Sequence, residues 1–133
     1  MNVSYLEKSE ENRRVANKCS TLGAFNAGAS RAYYSAFLRA RYVLECMQFD
    51  YQAFLTRRHL NDQRPYSHGT IQRALVECLM QDGKKHPDVF KLSVLDSLYR
   101  RRITADYHAG NLSEVDLRDS LQELEAVVGV LSR

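Results

Sequence analysis

Interruptions are what this sequence has least of. Only two prolines and six glycines break its 133 residues, which excludes a disordered chain and leaves long helices open. Cysteine is sparse as well. Cys19, Cys46 and Cys78 are odd in number and far apart, so neither a disulfide framework nor a zinc site is expected, and a reducing cytoplasm is. No apolar run approaches the roughly 20 residues that span a bilayer. The opening MNVSYLEKSEENRR is too polar for a secretory signal, so no membrane partner is expected. A net charge of +3 is too small to announce nucleic-acid binding by itself. Strand-like alternation, hairpin turns and internal repeats are absent, as are a Gly-rich phosphate loop, HExxH and a credible Ser/His/Asp set. No metal and no cofactor are therefore expected.

What is present is helical periodicity. The length suits one core, and the chain reads as a single all-α domain over 1–133, an antiparallel bundle of four to five helices. A weakly amphipathic helix runs from about Val3 to Cys19 and stops near Leu22-Gly23. From Ala24 to Gln48, Tyr33, Ala36, Phe37, Ala40, Leu44 and Met47 recur at intervals of three and four, which makes this the central helix. The period is lost over about 50–67, read as an irregular loop or partly ordered insertion carrying Arg57, Arg58 and Arg64. Ser67 can cap the next helix, whose Ile71, Ala74, Leu75, Cys78 and Leu79 lead to a stop at Asp82-Gly83. Pro87 suits the first turn of a fourth helix reaching Tyr107 or His108, with Gly110 as a left-handed C-cap. Ser113 and Asp116 form a capping box for a last helix carrying Leu117, Leu121, Leu124, Val128 and Leu131.

The pattern breaks at one place. Along the fourth helix the apolar stripe Leu95, Leu98, Tyr99 continues through Arg102 and Asp106, so a cation and an anion stand where core is expected. Either the stripe emerges into a cleft or interface, or the i, i+4 pair is structural. His108 follows six positions after Arg102 at the helix end, where exposed carbonyls favour its protonated form. Arginine can stabilise charge on phosphoryl oxygens and histidine can move a proton near neutral pH, so the pair suits phosphodiester chemistry in RNA. His59, His68 and His86 read as surface or capping residues. Tyr51, Phe54 and Tyr66 could stack on bases, or pack the loop down.

Two segments, SRAYYSAFLRARYVLE at Ser30 to Glu45 and RRRITADYHAGNLSEVDL at Arg100 to Leu117, resemble the HEPN superfamily, particularly its small stand-alone branch carrying an Ala-Asp-Tyr motif. SHGTIQRALVECLMQDG at Ser67 to Gly83 is similar to that family's intervening His-led helix. The resemblance implies a helical bundle that forms a homodimer through the motif-bearing helices, with a composite cleft at the two-fold axis. It also implies metal-independent endoribonuclease activity of a toxin or defence effector, the ribose 2′-hydroxyl attacking the adjacent phosphate. Carried over by residue, Arg102 holds the phosphate, His108 transfers protons, Asp106 orients the arginine and Arg101 assists or substitutes. Arg57, Arg58, Arg64 and Arg100 are the expected RNA contacts. Tyr107 is either a modification site for a partner nucleotidyltransferase antitoxin or a tyrosine packed across the dimer. Ala105 stands where the toxin-type spacing from Arg100 carries histidine, and this implies the alternative: a non-catalytic module that partners a nucleotidyltransferase or a defence-system subunit.

Overall fold

Alanine decides where the chain packs most tightly. The computed structural model describes residues 4–60, 67–83, 91–108 and 110–132. Every regular element among them is a helix: α1 Ser4–Leu22, α2 Phe25–Cys46, α3 Tyr51–Arg57, α4 His68–Gln81, α5 Val94–Tyr107 and α6 Glu114–Leu131, with a 3-10 turn, Lys91–Ser93, before α5. No helix among them is long and apolar enough to cross a membrane. α2 lies against α1, α4, α5 and α6. Its Ala29, Ala32, Ala36 and Ala40 are fully buried, and side chains this small let neighbouring helix axes approach closely.

The α1–α2 seam is polar at its tightest point. Ser9 Oγ donates to the Ser35 carbonyl at 2.7 Å and Ser35 Oγ returns a bond to the Ser9 carbonyl at 2.8 Å. Both serines are fully buried, and the exchange satisfies two hydroxyls that would otherwise be costly there. Arg39, also buried, pairs with Glu10 of α1, and Arg13 bridges α1 to Glu125 of α6 at 2.6 Å. The apolar remainder joins all six helices, with Phe54, Leu75, Leu79, Leu98, Leu117 and Leu124 sealed from solvent. Each such side chain contributes about 1.5–3 kcal/mol by area.

Helix boundaries follow local chemistry, with two departures from expectation. Gly23, at φ +71°, closes α1 as Ala24 N–H reaches back to the Cys19 carbonyl. Ser67 caps α4, and Ser113 with Asp116 caps α6 reciprocally. The stretch read as irregular is helical in its first half: Asp50 accepts from Ala53 N–H to start α3, and Phe54 and Leu55 are core residues rather than a surface for stacking on bases. Residues 61–66, with Arg64 and Tyr66, lie outside the described residues. Pro87 and His86 do too, and α5 begins at Val94. His108 ends α5 in extended backbone at φ −101°, ψ 152°, so the helix closes before Gly110 is reached.

A Cβ on Gly28 would lie 2.7 Å from Leu117 Cδ1 and 3.0 Å from Cys19 Cβ. Gly28→Val is therefore expected to destabilise by about 1–3 kcal/mol through overpacking, more than the fraction of about 1 kcal/mol regained in helix propensity. The reading is a lower urea midpoint with unchanged slope; an unmoved midpoint would mean that Leu117 swings aside freely. Asp116 is held below the ordinary carboxylate range by the Ser113 N–H and then by its hydroxyl. A depressed carboxylate contributes stability that is complete above its unfolded pKa of about 3.9 and is lost as pH falls through the folded value. Asp116→Asn should thus melt below the parent protein at pH 6, and the gap should close on acidification.

Candidate functional site

Successive residues on a helix turn by 100°, so three arginines in a row leave the helix in three directions. Arg100 is exposed. Arg101 Nη1 donates to Glu123 Oε2 of α6 at 2.9 Å, with Ser120 Oγ at 3.5 Å. The Glu123 hydrogen bond raises its pKa, against desolvation that works the other way. Arg102 turns instead toward α2, and the structure does not bring Arg100 or Arg101 to it.

Arg102 lies in a polar cradle. Its Nη2 donates to Tyr34 Oη at 2.6 Å and, more weakly, to Tyr107 Oη at 3.5 Å. Both rings also face the guanidinium, each with its centroid 5.2 Å from Cζ, a distance at which a cation is attracted to the ring quadrupole. Nε lies 3.0 Å from Asp106 Oδ2, yet it is buried without a hydrogen bond, so the ion pair is close but its N–H is not aimed at the oxygen. Ser30 Oγ donates to the same Oδ2 at 3.2 Å. Ser30 and Tyr34 are one turn apart on α2, Arg102 and Asp106 one turn apart on α5, and the helices run in opposite directions past this contact. Burial works to lower the Arg102 pKa, but Tyr34, Tyr107 and Asp106 outweigh it and the net direction is up. The cation is permanent.

One donor is left over. Nη1 has no hydrogen bond among the described residues and is not among the buried unpaired atoms, so it reaches solvent. Beside it Tyr107 is 70% exposed. His108 is also exposed, and its backbone N–H reaches the Thr104 carbonyl at 3.3 Å. Its ring makes no hydrogen bond, ion pair or ring contact among the described residues, so one copy of the chain does not join His108 to Arg102. The segment that follows is tied to the start of α2, where Asn26 accepts from Leu112 N–H and donates to Asn111 Oδ1, each at 2.9 Å. Arg57 and Arg58 lie elsewhere and both pair with Glu77 of α4. They hold its carboxyl below the usual range against the upward push of desolvation.

A second cluster was not visible in the sequence. His68, expected as a surface or capping residue, stacks flat on Tyr99, with centroids 4.2 Å apart and planes at 9°. Its Nε2 lies 2.8 Å from Asp96 Oδ1 and its Nδ1 3.3 Å from Tyr33 Oη. An ionised Asp96 can only accept, so Nε2 carries the hydrogen, and in the neutral ring Nδ1 then accepts from the Tyr33 hydroxyl. Burial and the adjacent Tyr99 push the Tyr33 pKa up, which keeps that hydroxyl protonated. Asp96, Tyr99, Arg102 and Asp106 thus form one row along α5, spaced by three and four. Six residues, about 9 Å of helix, separate Asp96 from Arg102, so the two clusters are neighbours rather than one site. The spacing on α5 was a readable signal, but its partners His68 and Tyr33 were not.

Among the described residues, no group of three His, Cys, Asp or Glu side chains is placed to hold a metal ion. No protein-family model, no curated protein sequence and no solved structure matches the chain.

His68→Ala removes a stacked ring and two inter-helix hydrogen bonds. It is expected to cost about 1–3 kcal/mol in unfolding free energy, while Asp96→Asn, which keeps the stack, costs less. Equal melting of the three proteins would show that the cluster does not tie α4 to α5.

Proposed function

We propose that the chain is a HEPN-type, metal-independent endoribonuclease of the toxin or defence kind. In this reading it is a single-domain, antiparallel helical bundle in the cytoplasm, working as a homodimer. The observation that carries the proposal is the state of Arg102: a permanent cation held on three sides, with Nη1 open to solvent. A phosphodiester oxygen fits that donor, and a charge-assisted hydrogen bond of this kind is strong and directional. The exposed Tyr107 ring lies beside this donor at the end of α5.

The separation of His108 from Arg102 within one copy is the reason the reading requires two. With α5 of each copy facing the other across a two-fold axis, His108 of one protomer reaches the phosphate on Arg102 of its partner. Histidine as base takes the proton of the ribose 2′-hydroxyl; the 2′-oxygen bonds to phosphorus while the bond to the 5′-oxygen breaks, leaving a cyclic phosphate and a 5′-hydroxyl that receives a proton. Arg102 stabilises the extra charge on the non-bridging oxygens, Asp106 helps to orient the guanidinium through the ion pair at Nε, and Arg101, tied to Glu123, carries less of the work.

Ala105 and the Asp106 charge beside Arg102 favour a second reading, in which the fold is kept without chemistry and the surface binds a nucleotidyltransferase or a defence-complex subunit. The two separate on one experiment. The purified chain is incubated with single-stranded RNA in EDTA. Cleavage is expected, with activity falling about 100-fold or more for Arg102→Ala and for His108→Ala. Because the site is shared, mixing the two variants should restore part of the activity, since a mixed dimer keeps one intact Arg102–His108 pair. Cleavage by neither parent nor mixture, together with a monomer in solution, would leave the binding-module reading.

A further inference from the structure

We propose that Tyr34 and Ser30 of α2 are positioning residues for Arg102 and Asp106, an inference whose functional consequence rests on the ribonuclease reading but whose geometry does not. The charge of its partners sets Arg102 apart. Arg39 and Arg101 pair with carboxylates, and such pairs fix a guanidinium by cancelling its charge. Arg102 is fixed mainly by a phenol: the Tyr34 bond, at 2.6 Å, is the shortest it makes. A neutral acceptor sets direction and leaves the cation's field available to an anion, whereas a carboxylate on Nη2 would compete with phosphate for the same fork.

The one carboxylate present is itself restrained. Ser30 donates to Asp106 Oδ2, the oxygen nearest Arg102 Nε, so part of its accepting capacity is already used. The result is a guanidinium anchored through Nη2, leaned on at Nε and presented at Nη1. Tyr33 packs edge-on against the Tyr34 ring, with centroids 5.4 Å apart, and ties it to the His68 cluster. Half of the site therefore belongs to α2, whose Ser30-x-x-x-Tyr34 spacing matches Arg102-x-x-x-Asp106 turn for turn.

Tyr34→Phe deletes the acceptor and keeps the ring, its packing and its cation–π contact, so the fold should persist, checked by helical circular dichroism. Two readings are taken: side-chain 15N NMR of the Arg102 guanidinium, and affinity for a fluorescent 2′-O-methyl RNA strand that cannot be cleaved. The expected result is loss of the distinct, slowly exchanging Nη2 signal and about three- to tenfold weaker RNA binding. Tyr107→Phe, which loses only a 3.5 Å contact, should change the Nη2 signal little. Ser30→Ala should shift Arg102 Nε without releasing Nη2. An unchanged Nη2 signal in Tyr34→Phe overturns the proposal whatever the RNA does. A released Nη2 signal in a protein whose parent never cleaves RNA upholds the positioning role and rejects the ribonuclease reading instead.

Discussion

The seam between α1 and α2 is the constraint on which the rest of the structure depends. Two buried serines trade hydroxyl-to-carbonyl bonds there, and the bonds can form only if the backbones come close. With α2 locked on that side, its other faces are committed. Tyr33 and Tyr34 must turn toward α5, and Gly28 must receive Leu117 of α6. A larger residue at any of these small positions would move the tyrosines as well as the core.

Electrostatics then sort residues that composition treats alike. Arg57 and Arg58 share one glutamate, Arg101 has another, and Arg39 has Glu10. Each has a carboxylate on a terminal nitrogen, although Arg39 Nε, like Arg102 Nε, is buried without a hydrogen bond. Arg102 differs because its carboxylate is misaligned and shared with a serine, and its best bond is to a neutral hydroxyl. Under-satisfaction of a partly buried guanidinium costs stability, so it is the kind of arrangement in which a ligand, rather than the fold, supplies the missing partner.

Much of the helical class was legible in sequence because it is written locally. The Ser67 cap, the Asp82-Gly83 stop, the Ser113–Asp116 box and the Arg102–Asp106 contact all lie within one or two turns of their partners. α3 was missed because seven residues give too few turns for a period to register, and because its exit uses His59 at φ 56° where a glycine would have signalled the end. Gly110 misled in the opposite sense, since α5 already ends on the extended backbone of His108. The His68 cluster was unreadable for another reason: its partners are 28 and 35 residues away, and no local rule reports which rings meet after folding. Tyr34 was visible only as one residue among several that might line a cleft.

The aromatic row has an optical consequence. The chain contains no tryptophan and eight tyrosines, and Tyr33, Tyr34, Tyr99 and Tyr107 cluster around Arg102 and His68. Half of the protein's tyrosines therefore lie within the cluster, so a guanidinium or imidazole that moves there alters the light the whole molecule gives off, and no extrinsic dye is needed to watch it.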